Sequence, residues 1–163
     1  YNPVPEMTFS LAAGLNWKGI DFSILLQGAA RSSIYLQQDI AWDNFWGNYY
    51  EEHIGRWTPE TAATATYPRF TKAATAAHPN YYKSDYWLKD SKYLRLKNIQ
   101  LGYTIPRKLL KKFGVRSLRV YANAYNLFTW DNVKKVDPES SNNSNGQFYP
   151  QQKVINFGIN LNF

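Results

Sequence analysis

The stretch VINFGINLNF, residues 154–163, alternates without a break: Ile155, Phe157, Ile159, Leu161 and Phe163 fall on one side, Asn156, Gly158, Asn160 and Asn162 on the other. Side chains of a β-strand point to opposite faces at successive residues, so this pattern is a strand with one oily face and one small polar face. A soluble sandwich turns such an oily face inward and a membrane barrel turns it to lipid. The period of two is the same in both.

The same period recurs upstream. Residues 7–17 place Met7, Phe9, Leu11, Ala13, Leu15 and Trp17 opposite Thr8, Ser10, Ala12, Gly14 and Asn16, a run longer than the usual five or six residues of a soluble strand. After Lys18-Gly19, a two-residue hairpin signal, a second strand is expected over 20–35, with Phe22, Ile24 and Leu26 against Asp21, Ser23 and Gln27. A third spans 93–105, with Ile99, Leu101, Tyr103 and Ile105 against Asn98, Gln100, Gly102 and Thr104. Pro106 lacks the N–H that a ladder needs and suits the start of a short basic helix, 106–113, stopped by Gly114. The fourth strand, 118–130, sets Leu118, Val120, Ala122 and Ala124 opposite Arg119, Tyr121, Asn123 and Tyr125.

Connection lengths separate the two architectures. The links at 18–19 and 106–117 are short and fall on one end of the sheet. Residues 36–92 and 131–153 are long and fall on the other. Short turns on one side and long loops on the other are the outer-membrane pattern, with short turns periplasmic and long loops extracellular. The chain then ends in the periplasm. Five strands leave two edges of unpaired backbone groups, which lipid does not tolerate, so the chain is expected to be part of a larger barrel whose other strands precede Tyr1.

Composition agrees with that expectation. Aromatics form 17% of the 163 residues, while a mean hydropathy of -0.52 goes with the lack of any apolar run long enough for a membrane helix. The absence of Cys removes disulfides, thiolate metal sites and cysteine catalysis. Residues 1–6 have no basic and apolar leader pattern. The net charge of +7 is concentrated between Arg107 and Arg119 without base-reading spacing, so a solvated turn is favoured over a phosphate-binding patch, and no nucleic-acid partner is expected.

The stretch YLRLKNIQLGYTIPRKLLKKFGVRSLRVYANAYNLFTW (93–130), DPE at 137–139, YPQ at 149–151 and INFGINLNF at the end resemble the C-terminal region of the SusC/RagA family of TonB-linked outer-membrane transporters. PEMTFSLAAGLNWKGIDFSILLQGAA (5–30) and EEHIGRWTPE (51–60) resemble the same family, so the likeness covers nearly the whole chain. It implies an all-β fold: the last five strands of a transmembrane β-barrel of about 22 strands around a plug, with long extracellular loops. It also implies import of glycans or peptides powered through TonB, a SusD-like surface lipoprotein as lid, no enzyme activity and no cofactor. Plug and TonB-contacting segment belong to the N-terminal part and are expected outside residues 1–163. Phe163 resembles the terminal aromatic that outer-membrane proteins show to their assembly machinery.

Within that frame the candidate residues fall into three groups. Asn98, Gln100, Asn123, Tyr125, Asn156 and Asn160 are expected to face the lumen. Tyr103 and Phe163 near the periplasmic end, and Phe128 and Trp130 near the extracellular end, are expected as interface aromatics. In the first long loop Trp42, Trp46, Tyr49 and Trp57, with Phe45 and Tyr50, are flat surfaces for sugar rings beside Asp43, Asn44 and Asn48. The competing reading, that these rings pack the loop on itself or against a lid protein, is favoured.

Other clusters read as structural. Asp39, Asp43, Glu51, Glu52 and His53 are expected as a salt-bridged surface rather than a hydrolytic carboxylate pair, so no catalytic residue is assigned. His53 and His78 lack ligand spacing, and Asp131, Asp137 and Glu139 beside 140–145 lack a calcium-loop spacing, so no metal site is expected. Residues 61–77, rich in Ala and Thr, are expected as an extended loop, with an interdomain linker as the rival. The rival to the barrel as a whole is a soluble β-sandwich that binds carbohydrate.

Overall fold

A computed structural model describes residues 2–38, 41–43, 49–71, 78–134, 136–140 and 149–163. The chain divides into two units, one made of residues 5–31, 92–132 and 151–163, the other of 1–4, 32–91 and 133–150.

The first unit is an antiparallel sheet of five strands. They are β1 (Met7–Trp17), β2 (Ile20–Ala30), β5 (Tyr93–Thr104), β6 (Ser117–Asp131) and β7 (Val154–Asn162), laid side by side in that order. Lys18 (φ 47°) and Gly19 (φ 88°) both lie in the left-handed region, the hairpin turn whose twist matches the strands it joins. β5 leads through Pro106 into a single helical turn, α1 (Arg107–Leu110), which tightens over Lys111–Phe113 and stops at Gly114, φ 68°. Gly114 can adopt that angle without a Cβ penalty.

Register carries the alternation from strand to strand. Leu15, Phe22, Leu101, Ala122 and Phe157 form one row of neighbours, and Ala13, Ile24, Ile99, Ala124 and Ile155 the next. Between Leu96 and Asn98 the pairing of β5 with β6 slips, and Asn126 takes φ 52°. This bulge keeps Leu94 and Leu96 on the face of Ile99 and Leu101 although their numbers have changed parity, so the apolar surface continues to Phe128 and Trp130. A sandwich would bury this face. Instead Leu15 is 62% exposed, Leu101 55%, Ile155 59% and Phe157 82%, which sets the soluble-sandwich alternative aside.

The expected strand 20–35 is shorter in the structure. Arg31 turns the chain with φ 54° after Ala30, and Ser33–Tyr35 (β3) pairs instead with Leu88–Asp90 (β4) in a separate two-stranded ladder of the second unit. Ser32 and Ser91 fasten the base of that ladder, by a 3.0 Å backbone bond and a 2.9 Å bond between their hydroxyls.

Around this ladder the second unit builds its own core from Ile34, Leu36, Trp42, Tyr67, Tyr81, Trp87 and Val133. The segment expected as an extended loop over 61–77 folds back in its first part. Successive turns close through Thr64 N–H to Thr61 C=O (2.9 Å) and Ala65 N–H to Thr61 C=O (2.8 Å). The chain then lies beside 55–57, with Thr66 N–H on Gly55 C=O and Trp57 N–H on Tyr67 C=O, both 2.9 Å. Residues 72–77 lie outside the described residues. Short Thr side chains explain the fold-back, because the Thr61 hydroxyl accepts from Thr58 N–H (2.8 Å) and donates to Arg56 C=O (2.9 Å).

Candidate functional site

The polar face of the sheet gathers the groups expected to line a lumen. Asn98 lies opposite Tyr125, Gln100 opposite Asn123, Asn123 opposite Asn156, and Arg119 opposite Asn160. Asn156 donates its amide to the Asn123 side-chain oxygen at 3.0 Å, and Arg95 Nε donates to the Thr129 hydroxyl at 2.9 Å.

Near the short-turn end of this face lies an ion pair that reading the strands one at a time does not show. Arg119 on β6 reaches across β5 to Asp21 on β2, Nε to Oδ1 at 2.9 Å and Nη2 to Oδ2 at 2.5 Å. Gly102 stands between them on β5. A Cβ there would come within 2.5 Å of Arg119 Nη2 and Asp21 Oδ1, so glycine lets the two side chains meet in this geometry, and a larger residue would make them shift. Tyr121 covers Gly158 on β7 in a similar way, its ring atoms occupying the space a Cβ would need. The Arg119 guanidinium sits 4.8 Å from the Tyr121 ring centre. One polar strap therefore crosses β2, β5, β6 and β7. The signal in the sequence was the opposite charges of Asp21 and Arg119 on the polar sides of their strands with a glycine on the strand between.

On the other face the expected interface aromatics are uncovered: Tyr103 is 40% exposed, Phe128 53%, Trp130 57% and Phe163 78%. Tyr103 shares the end row of β5 with Ile20 and Val120, while Phe128 and Trp130 pair with Leu96 and Leu94 near the opposite end.

The loop unit treats its aromatics differently from one another. Trp42 is buried, with its ring stacked on Tyr81 at 4.5 Å, so it is a packing residue of the loop core. Tyr49 and Trp57 are 56% and 39% exposed, and Tyr49 leans on Phe70 at 5.4 Å. Trp46 lies outside the described residues.

The acidic cluster expected at the surface is corrected at its centre. Asp43 is fully buried and His53 nearly so. The Asp43 carboxylate accepts from the hydroxyl of Tyr81 and from Thr71 N–H at 2.9 Å, while Asp43 N–H donates to the Tyr67 hydroxyl oxygen at 3.0 Å. A buried charge held by such donors repays part of its lost hydration. Tyr67 in turn donates to Ala41 C=O at 2.8 Å. Burial first, and then the negative Asp43 beside them, pushes both the Tyr67 and Tyr81 hydroxyls to ionise well above the ordinary tyrosine range. His53 accepts Tyr50 N–H at Nδ1 (3.0 Å), which puts its proton on Nε2, 3.2 Å from the Ala41 carbonyl. Asp39 lies outside the described residues. His78 caps its own turn by accepting Asn80 N–H at 3.2 Å. Among the described residues no group of three or more His, Cys, Asp or Glu is placed to hold a metal.

No family model matches the chain. Among curated proteins it is 29% identical, over 99% of its length, to TonB-dependent receptor P26 of Formosa agariphila, and spans 17% of that protein. It is 25% identical over 99% of its length to TonB-dependent receptor SusC of Bacteroides thetaiotaomicron, spanning 15% of it. Among solved structures its fold superposes on the RagAB peptide importer in the closed-closed state with a TM-score of 0.74 at 24% identity, covering 97% of this chain and 17% of that one. The chain thus spans about a sixth of the relatives it matches, and its fold matches a segment of that importer. These relatives are receptors and transporters, not enzymes.

Proposed function

We propose that the likeness to TonB-dependent receptors extends to function, and that this chain is the C-terminal stretch of barrel wall, with its loops, in an outer-membrane importer of oligosaccharides or peptides. The observation that carries the reading is a single sheet with one uncovered apolar face and one polar face joined across its strands by Asp21 and Arg119. Water on both sides would leave that apolar face unstable, while lipid on one side and a wet lumen on the other satisfy both. Among the described residues β1 and β7 each have one strand partner, so strands from the remainder of the protein close the barrel.

In this reading Asn98, Gln100, Asn123, Tyr125, Asn156 and Asn160 line the path, and Tyr103, Phe128, Trp130 and Phe163 anchor the wall at the two interfaces. The loop unit faces the outside, where exposed Tyr49 and Trp57 are the aromatic surfaces available to an incoming solute or to a SusD-like lid lipoprotein. The plug and the contact with TonB are supplied by the N-terminal part of the full-length protein.

Thiol labelling of that full-length protein on intact cells tests the orientation. Glu60→Cys, on an exposed loop residue, reacts with an impermeant maleimide, whereas Lys111→Cys, in the short basic turn, reacts only after the outer membrane is permeabilised. The opposite pattern refutes the topology.

A further inference from the structure

The basic turn that the transport reading leaves without a role has two features beyond its charge. Between Pro106 and Ser117 stand Arg107, Lys108, Lys111, Lys112 and Arg116 with no acidic residue. All five are exposed, and among the described residues none has an acidic partner. Within the same turn Leu109 is 66% exposed and Phe113 75%, while Leu110 is buried and pins the turn down. Leu109 and Phe113 are four residues apart on a continuous helical segment, so they share one face flanked by cations. A merely solvated turn has no use for two large uncovered apolar side chains.

The neighbouring sheet supplies the second feature. The turn joins the strand ends beside Tyr103 and Val120, and there the apolar face has a shallow groove of about 450 Å³. Ile20, Leu101, Tyr103, Val120, Ala122 and Phe157 line it. It forms because Ala122 is small between the larger Leu101 and Phe157 in its row. Cations, interfacial apolar side chains and an apolar furrow running from them match one amphiphile: a negatively charged phosphate headgroup with an acyl chain attached.

We infer that this end of the sheet is a docking site for an anionic phospholipid of the leaflet at the short-turn side. The headgroup sits among Lys108, Lys111, Lys112 and Arg116, Leu109 and Phe113 enter the interface, and an acyl chain lies along the groove. A nucleic acid would engage the same cations but has no use for Leu109, Phe113 or the groove. The inference rests on the barrel reading, since only a wall in lipid brings acyl chains to this face.

The test uses the full-length receptor reconstituted in phosphatidylcholine vesicles doped with spin-labelled phosphatidylglycerol or, separately, spin-labelled phosphatidylcholine. The motionally restricted lipid fraction is measured. The expected result is a several-fold preference for phosphatidylglycerol that falls toward unity in K108Q/K111Q/K112Q/R116Q, since each basic residue at an anionic surface is worth about fivefold in association. Raised salt on the wild type has the same effect without risk to folding, and L109S/F113S lowers the restricted fraction of both lipids while leaving the preference and its salt dependence. A folded receptor with equal restricted fractions for the two lipids, or a preference that survives both neutralisation and salt, overturns the inference and leaves the barrel standing. A receptor that restricts neither lipid overturns the barrel reading itself.

Discussion

Replacing Ile155 by Arg puts a charge where the structure has an exposed apolar side chain, and the cost depends on what that face meets. Along β5, nine residues separate Tyr103 from Leu94, about 30 Å at roughly 3.3 Å per residue. With a strand tilt of about 40° this projects to about 23 Å, close to the apolar band of an outer-membrane barrel. Ile155 pairs with Ala124, which pairs with Ile99, four residues from Tyr103 and five from Leu94. It therefore lies near mid-depth, where Arg on a lipid face costs about 2–4 kcal/mol. Asn156→Arg, one residue away on the polar face, loses a single side-chain hydrogen bond to Asn123, about 1 kcal/mol. Denaturant unfolding of the full-length barrel in lipid bilayers measures both. If Ile155→Arg changes stability by less than about 0.5 kcal/mol, as expected of a water-exposed surface site, the reasoning fails.

Three further outcomes follow from the geometry. Trp42→Ala empties the centre of the loop core at a cost of about 3–5 kcal/mol, seen as faster hydrogen exchange at Tyr67 and Tyr81 with protection in β5 and β6 unchanged. Asp21→Asn and Arg119→Met are non-additive in a double-mutant cycle, and the coupling shrinks at high salt because the pair is partly exposed; additive effects refute the strap. The Tyr67 and Tyr81 hydroxyls ionise later in the folded loop than in the unfolded chain. Their contribution to loop stability is therefore whole below about pH 10 and is lost as pH rises beyond it, so alkaline titration shows tyrosinate absorbance from these two only as the loop opens.

The strands were legible because their information is local. Period-two alternation over 7–17, 98–105 and 154–163 survives without knowledge of the partners, and Lys18-Gly19 and Gly114 mark backbone turns by residue type alone. Features set by contacts distant in sequence were not legible. Asp43 read as a surface acid because its hydrogen-bond partners, Tyr67 and Tyr81, lie 24 and 38 residues away. The break after Ala30 carries no Gly or Pro at the kink: Arg31 adopts a left-handed angle because Ser33–Tyr35 pairs with residues more than fifty positions later. The bulge at Asn126 was hidden for a related reason, since a slip in register is visible only once both strands are laid together. Of the loop aromatics, composition gave the density but not which ring, Trp42 or Tyr49, would be inside.

The central claim is that the odd-numbered side chains of β7 face lipid and the even-numbered ones face water. A spin-label scan of positions 154–162 in the full-length protein, reconstituted in bilayers, reads it directly through collisions with oxygen and with a water-soluble nickel complex. The account predicts oxygen accessibility peaking at 155, 157, 159 and 161 and nickel accessibility peaking at 156, 158 and 160, out of phase with period two. Nickel reaching both sets alike, or oxygen peaking on the asparagine side, contradicts it.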